Sequence, residues 1–290
     1  MMRNIIIIFL TATSLITALG GCSSDTDFGE QYKKTLFIVN ATTFTGDHAF
    51  DNAADEIIIS VYCSSTEPIK SDLTARLMLD PAILDSINYV NTLSDESYIN
   101  RVMLPTANYS LPEFPTVTIK AGEQYGTLRI PFNSNGLDPD IFYALPLYLS
   151  ANDKGYEMND DLRMMFYQVN MVNDFSGSYN GTSSELPASE TERIVIKTVQ
   201  PTLKAMSANI VRMSIHDATS ATENLMQLEI GSDNSVRILP WNGSNVLDLG
   251  DSRYNPVTMQ FELNYRYNGK VISEIITNIL APKTDEDEFN

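Results

Sequence analysis

The feature that most constrains this chain is the alternation of apolar and polar residues in many short runs. Successive side chains of a β-strand point to opposite faces, so this alternation predicts strands with one buried face. Turn-forming clusters, such as residues 231–234 and 268–269, separate the runs. The sequence therefore predicts a mainly β fold. The alternating apolar positions are Ile57/Ile59/Val61/Cys63, Ala75/Leu77/Leu79, Val117/Ile119, Leu128/Ile130/Phe132, Tyr143/Leu145/Leu147/Leu149, Met165/Tyr167/Val169/Met171, Val211/Met213/Ile215, Met226/Leu228/Ile230, Val236/Ile238 and Met259/Phe261/Leu263/Tyr265/Tyr267.

One segment departs from this alternation and predicts a short helix. Asp80 is a good N-cap residue, and Pro81 suits the first helical position because the missing N–H of proline costs nothing there. The apolar residues that follow have helical spacing: Ile83, Leu84, Ile87 and Val90. We therefore expect one helix among the strands of the first half of the chain.

The length of 290 residues suggests two domains. A turn-rich stretch at residues 173–181 interrupts the strand pattern. We place an immunoglobulin-like β-sandwich with one short helix at residues 35–173. Residues 174–282 have many strands joined by tight turns, which predicts an antiparallel sheet able to close into a barrel. Residues 283–290 form an acidic tail.

The amino terminus has the pattern of a bacterial lipoprotein signal. Arg3 precedes an apolar run that is too short to span a bilayer, and the run ends at the small residues before Cys22. This pattern predicts that residues 1–21 are removed and that Cys22 carries the lipid anchor. Residues 22–34 then serve as a tether. An ordinary secretory signal followed by a chance cysteine is the alternative.

The charge balance excludes several classes of function. The 19 basic and 37 acidic residues give a net charge of −18 and a pI near 4.4. A nucleic-acid partner is not expected, because the chain has no basic face to displace counterions from phosphate. With two cysteines and two histidines, the chain also lacks the ligands of a zinc ribbon. We expect no metal and no cofactor.

No residue pattern points to catalysis. Cys63 falls on the apolar side of its run, which predicts a buried structural thiol rather than a nucleophile. The acidic segments 138–140 and 160–161 have turn-like surroundings and are interpreted as solvated surface, with calcium binding as the alternative. His48 and His216 are interpreted as surface or turn residues rather than bases.

Several segments resemble a known family. The chain is similar to surface lipoproteins of Bacteroidetes polysaccharide-utilisation loci, which pair an N-terminal sandwich domain of unknown function with a lipocalin-like C-terminal domain. The segments that carry the resemblance are LGGC (19–22), VTIKAGEQYGTLRIPF (117–132), YALPLYL (143–149), SGSYNGT (176–182) and YNPVTMQFELNYRYNG (254–269).

This resemblance implies a function as well as a fold. It implies a lipocalin-like barrel and a non-catalytic lipoprotein that captures polysaccharide or oligosaccharide at the cell surface. The lipid anchor would hold the chain in the outer membrane, beside a TonB-dependent importer complex. A structural or adhesive protein that binds other envelope components is the alternative.

Sugar rings stack on flat aromatic side chains, and their hydroxyls need polar partners. The only tryptophan, Trp241, lies in a turn-like segment and is followed by Asn242. These two residues are the predicted glycan-binding candidates. In the alternative interpretation, Trp241 closes one end of the barrel and has a structural role.

The last hairpin allows two registers. A two-residue turn at residues 268–269 would place Leu263 opposite Glu274, with the carboxylate on the apolar side. Burial of an unpaired carboxylate costs several kcal/mol. We therefore predict a three-residue connection, which moves Leu263 opposite Ile275 and turns Glu274 towards solvent. If Glu274 instead lies inside and pairs with an arginine or a ligand hydroxyl, it becomes the strongest candidate for a ligand contact in the C-terminal domain.

Overall fold

The structure is a computed structural model that describes residues 32–50, 54–186, 195–216 and 224–282. The predicted signal peptide, Cys22 and the acidic tail lie outside the described residues. The fold is mainly β, as predicted. Within the described ranges, no helix has the length and apolar character needed to cross a membrane.

The N-terminal part is a sandwich of two facing sheets. The first sheet has the strand order β7-β3-β1-β9, and the second has the order β2-β10-β8-β4-β6, with β5 beside β8. The alternating residues of both sheets meet in one apolar core. The strands are β1 (Thr35–Ile38), β2 (Thr42–Ala49), β3 (Asp55–Ser64), β4 (Leu73–Leu79), β5 (Val102–Met103), β6 (Thr116–Ile119), β7 (Tyr125–Phe132), β8 (Tyr143–Asn152), β9 (Glu157–Met158) and β10 (Met164–Val172).

The single predicted helix is present as α1 (Pro81–Ser94). The Asp80 side chain accepts a hydrogen bond from the backbone N–H of Ala82 at 3.0 Å, which confirms the predicted cap. Leu84 faces the second sheet and packs with Ala144 and Phe166. The helix therefore covers part of the outer face of that sheet.

The alternation around Cys63 predicted its environment correctly. Cys63 is a free thiol that is fully buried in the sandwich core. Burial raises the pKa of the thiol, which disfavours the reactive thiolate. A structural role for Cys63 agrees with this environment.

The C-terminal part is a nearly closed antiparallel barrel. Its strand order is β16-β15-β14-β13-β11-β20-β19-β17, with β12 beside β11 and β18 beside β19. The strands are β11 (Gly177–Leu186), β12 (Val195–Val199), β13 (Thr202–Ser207), β14 (Ile210–Ser214), β15 (Leu225–Ile230), β16 (Val236–Pro240), β17 (Val246–Asp248), β18 (Arg253–Asn255), β19 (Gln260–Tyr267) and β20 (Lys270–Asn278). Between the end strands β16 and β17, the Asp248 side chain accepts a hydrogen bond from the Ile238 N–H at 3.1 Å.

The predicted register of the last hairpin is wrong. Leu263 lies opposite Glu274, and Tyr267 lies opposite Lys270 across a two-residue turn. Asn268 and Gly269 both have positive φ, as a type I′ turn requires. Glu274 is 1% exposed, so its carboxylate lies inside the barrel rather than in solvent. The prediction failed because it treated that carboxylate as unpaired.

Candidate functional site

Three aromatic side chains lie in a row on the outer face of the first sheet. Phe37 lies opposite Tyr62, and Tyr62 lies opposite Tyr125, so the row crosses β1, β3 and β7. The rings of Phe37 and Tyr62 are 5.2 Å apart, and Tyr125 is 60% exposed. Neighbouring strands are about 4.8 Å apart, so the three rings span about 10 Å. We call these three residues the aromatic row.

Polar side chains surround the aromatic row. The Tyr62 hydroxyl donates to Gln124 Oε1 at 3.0 Å, which fixes the tilt of the ring. Ser60 and Thr127 lie one step along the same face, with their hydroxyl oxygens 3.4 Å apart. This face therefore offers aromatic surfaces and hydroxyl partners to the same ligand.

A cleft of about 380 Å³ opens next to these polar residues. Strand β1 pairs with only the second half of β3, and the cleft lies beside the first half. Ser60, Ile58 and Glu56 line one side of the cleft, and residues of β2, including Phe44 and Asp47, line the other. The outer face of the first sheet and this cleft share Ser60, so they form one continuous surface.

A buried hydrogen-bonded chain forms the floor of the cleft. His48 Nδ1 lies 2.8 Å from Asp55, and Nε2 lies 2.9 Å from the Tyr167 hydroxyl. Burial, reinforced by the charges of Asp55 and Asp47, raises the pKa of Tyr167 to about 12. The Tyr167 hydroxyl thus stays protonated and shares a hydrogen bond with His48. Gly46 leaves room for this phenol, because a Cβ there would overlap its oxygen.

The interpretation of His48 as a surface or turn residue is wrong, because its side chain is buried in β2. Period-2 alternation of His48 with its neighbours was the only available hint, and the partners Asp55 and Tyr167 come from other strands. Both ring nitrogens of His48 are occupied by protein groups. The ring therefore holds the cleft floor in place rather than acting as an available base.

Trp241 lies away from the cleft, at the junction of the two parts of the chain. The Arg212 guanidinium lies 4.7 Å from the centre of the Trp241 ring and covers one face. Arg212 also pairs with Asp140 of the N-terminal part at 2.5 and 2.7 Å, and Lys204 pairs with the same carboxylate. Asn242 is exposed beside the tryptophan. The structure places Trp241 within a cluster that joins the two parts, which favours a structural role for this residue; ligand binding at Trp241 and Asn242 stays an untested prediction from the sequence.

Asp140 lies on the exposed surface, as the sequence suggested, but its carboxylate is paired with two cationic side chains. Arg212, followed by Lys204, holds the pKa of the Asp140 carboxyl well below its usual range. The carboxylate therefore stays ionised and ties the loop before β8 to the barrel. In the described ranges, no group of three or more His, Cys, Asp or Glu side chains is arranged to hold a metal.

Glu274 belongs to a polar network inside the barrel. Ser183 donates to Glu274 Oε1 at 2.8 Å and lies 2.6 Å from His216 Nδ1. His216 Nε2 lies 3.0 Å from Glu185, and the backbone N–H of His216 donates to the Tyr265 hydroxyl. Burial, followed by the nearby Glu274 charge, raises the pKa of Tyr265 and keeps its hydroxyl protonated.

This network changes two of the predictions from the sequence. His216 is buried, so its interpretation as a surface or turn residue is wrong. Glu274 is paired inside the barrel, and its partners include Ser183, Tyr265 and His216. The carboxylate therefore serves the barrel itself, and we do not include it in the candidate site.

Comparison with known proteins agrees with this fold. The chain is similar to a Bacteroides ovatus structure of unknown function, with 16% identity, coverage of 87% of this chain and 98% of that chain, and a TM-score of 0.58. A multidomain protein including DUF1735, also from Bacteroides ovatus, gives 16% identity, coverage of 84% and 94%, and a TM-score of 0.56. A third protein, of unknown function and also from Bacteroides ovatus, gives 18% identity, coverage of 83% of this chain and 89% of that chain, and a TM-score of 0.54.

At these identities the likeness shows the fold alone. No curated protein matches the chain. A family model described as an N-terminal domain matches residues 32–155, and a model described as C-terminal matches residues 163–278. Together the two models cover most of the chain, which therefore belongs to the two-domain family that these N-terminal and C-terminal models describe, with structural neighbours from Bacteroides.

Proposed function

We propose that this chain is a non-catalytic glycan-binding lipoprotein of the outer membrane, displayed on the cell surface, that captures polysaccharide for an importer. The observation that carries the proposal is the partly exposed aromatic row beside a polar cleft. Flat aromatic faces match the C–H faces of sugar rings, and the hydroxyls and amides around them match sugar hydroxyls. The resemblance to lipoproteins of polysaccharide-utilisation loci supports the same function.

The shape of the surface also suits a polymer. The aromatic row lies on the outer face of the first sheet and is most exposed at Tyr125, so a sugar chain can lie along it rather than end in a closed pocket. Its length of about 10 Å suits a short run of linked sugars. The cleft at one side can hold a branch or the next sugar through Ser60, Asp47 and Glu56.

The carboxylates of the cleft support binding rather than hydrolysis. Asp47 accepts a hydrogen bond from the Asn170 amide at 2.7 Å, and Glu56 pairs with Arg129 at 2.8 Å. A glycosidase needs two carboxyl groups on opposite sides of one bond, one of them as a protonated acid. Here each carboxylate is engaged by a neighbouring side chain.

A specific feature favours the alternative of a structural or adhesive envelope protein. Three apolar residues on the outward side of α1 are exposed: Tyr89 by 67%, Val90 by 57% and Leu93 by 71%. An exposed apolar patch of this kind marks protein contact surfaces. It is compatible with glycan capture if the patch contacts the importer complex.

Affinity gels test the proposal directly. The chain from Ser23 onward is run through gels that contain different polysaccharides, and the incubated polysaccharides are analysed for released oligosaccharides. We expect retardation by one polysaccharide family without product release. Release of oligosaccharides would contradict the non-catalytic function. Free migration in every gel of a broad panel would contradict glycan binding.

A further inference from the structure

A second cavity lies on the opposite side of the sandwich from the aromatic row. It has a volume of about 260 Å³ and is lined by Tyr98, Ile99, Arg101, Phe142 and Gln168. Gln168 projects from β10 on the outer face of the second sheet, beside the area that α1 covers. The cavity thus combines aromatic, amide and cationic side chains in one place.

Asn88 of helix α1 fixes the backbone of Arg101 by two hydrogen bonds. The Asn88 side chain accepts a hydrogen bond from the Arg101 N–H at 3.0 Å and donates to the Arg101 carbonyl oxygen at 2.8 Å. One asparagine of α1 therefore holds both polar groups of this peptide unit. The Tyr98 hydroxyl lies 3.3 Å from the same asparagine oxygen, which ties the aromatic wall to this clamp.

The guanidinium of Arg101 is fixed as well. Its Nε donates to Gln168 Oε1 at 3.0 Å, and its Nη1 donates to the Tyr98 hydroxyl at 2.5 Å. A guanidinium carries five N–H donors, so three remain on Nη1 and Nη2. Two donors in this fork can meet both oxygens of a carboxylate. Because the side chain is already oriented, binding costs little additional conformational entropy.

Arg101 has only neutral side-chain partners in the part of the chain that the structure describes. In the described ranges, no carboxylate lies within salt-bridge distance of Arg101, and both of its side-chain partners are neutral. Four other arginines of this acidic chain each pair with a carboxylate: Arg129 with Glu56, Arg163 with Asp160, Arg212 with Asp140 and Arg237 with Glu229. A clamped arginine with neutral partners in a cavity is suited to an anionic ligand.

We propose that this cavity is a subsite for the carboxylate of an acidic sugar, with Arg101 as the anion-binding residue. The inference rests on the proposed glycan-binding function and adds a ligand class to it. Phe142 is partly exposed and supplies a ring surface for the sugar, which inorganic anions do not need, while the Tyr98 ring lies against the Arg101 guanidinium. The net charge of −18 repels dense polyanions, so the expected ligand is a glycan with isolated acidic sugars.

Titrations with small sugars test the subsite without knowledge of the polysaccharide. The probes are glucuronate and galacturonate, with glucose, galactose and acetate as controls, and binding is followed by NMR through the Arg101 Nε–H signal. We expect at least one acidic sugar to bind at least about tenfold more tightly than its neutral counterpart, glucuronate against glucose or galacturonate against galactose. The same acidic sugar should bind at least about tenfold more tightly than acetate. Equal binding of acid and neutral sugar would overturn the proposal, and equal binding of acetate would reduce the site to a general anion site and overturn the sugar assignment.

Two matched variants assign the effect to this residue. Arg101→Gln should lose the preference for the acidic sugar. Arg76→Gln should keep the preference for the acidic sugar. This substitution also removes one positive charge from the second sheet, but Arg76 lies over the Phe114 ring, outside the cavity. Preference retained in Arg101→Gln would contradict the proposal. If polysaccharide gels retard the wild-type chain but acidic sugars show no preference, only this inference fails; if no gel retards it, the proposed function fails.

Discussion

Replacement of Gly181 by alanine is expected to destabilise the C-terminal barrel by about 3 kcal/mol or more. Gly181 lies in β11 opposite Ile276 of β20. A Cβ at this position would overlap the backbone oxygen of Ile275 and lie 2.7 Å from the Cα of Ile276. Backbone atoms within a paired strand cannot swing aside as the end of a flexible side chain can. Chemical denaturation of the purified variant measures the loss.

Gly243→Ala is the matched control. Gly243 lies in the turn after β16 of the same barrel, and a Cβ there would meet no atom within 4 Å. Its positive φ makes alanine unfavourable by about 1 kcal/mol. Equal losses of unfolding free energy in the two variants would show that the close approach of β11 and β20 is not the cause.

Glu274→Ala is expected to lower the free energy of unfolding by about 3 kcal/mol. The change removes the acceptor of the Ser183 hydroxyl, the charge beside His216 and a partner of Tyr265. The buried hydroxyls of Ser183 and Tyr265 then each lose a hydrogen-bond partner. The loss is measured by denaturant unfolding at neutral pH.

The exposed carboxylate of Glu262 provides the comparison for this variant. Glu262 lies on the outer face of β19, in the strand that pairs with β20. Glu262→Ala should change the free energy of unfolding by no more than about 0.5 kcal/mol. A Glu274→Ala variant as stable as Glu262→Ala would mean that the network contributes little to the barrel.

Local patterns predicted the parts of the fold that depend on local chemistry. The cap at Asp80, the proline at the start of α1 and the buried side of the Cys63 strand all follow from neighbours in the sequence. The overall β class follows from the same alternation. These features could be predicted because each depends on residues within one turn or one strand.

The register of the last hairpin depends on distant residues. Ser183, which donates to Glu274, is 91 positions away in the sequence. A local pattern can show that a carboxylate would be buried. It cannot show that a serine from another strand donates a hydrogen bond to that carboxylate. Without that donor the expected cost of burying the carboxylate is too high, and the local pattern favours the three-residue connection over the two-residue turn that is present.

The candidate site could be predicted only in part. The alternation placed Tyr62 on the side opposite to Cys63, but the row needs Phe37 and Tyr125 from two further strands in a defined register. The sequence predicts Trp241 as a ligand contact because it is the only tryptophan and lies in a turn-like segment. Its sequence neighbours gave no sign that Arg212 covers one face of the ring.

The most direct test of the central claim compares two variants on the polysaccharide that retards the wild-type chain. The double variant Tyr62→Ala/Tyr125→Ala removes two rings from the aromatic row, and Trp241→Ala removes the ring at the domain junction. We expect the double variant to lose at least about tenfold in affinity, which corresponds to about 1.4 kcal/mol, while Trp241→Ala keeps wild-type affinity. Thermal melting confirms that each variant is folded. Wild-type affinity in the folded double variant, with binding lost in Trp241→Ala, would contradict the account.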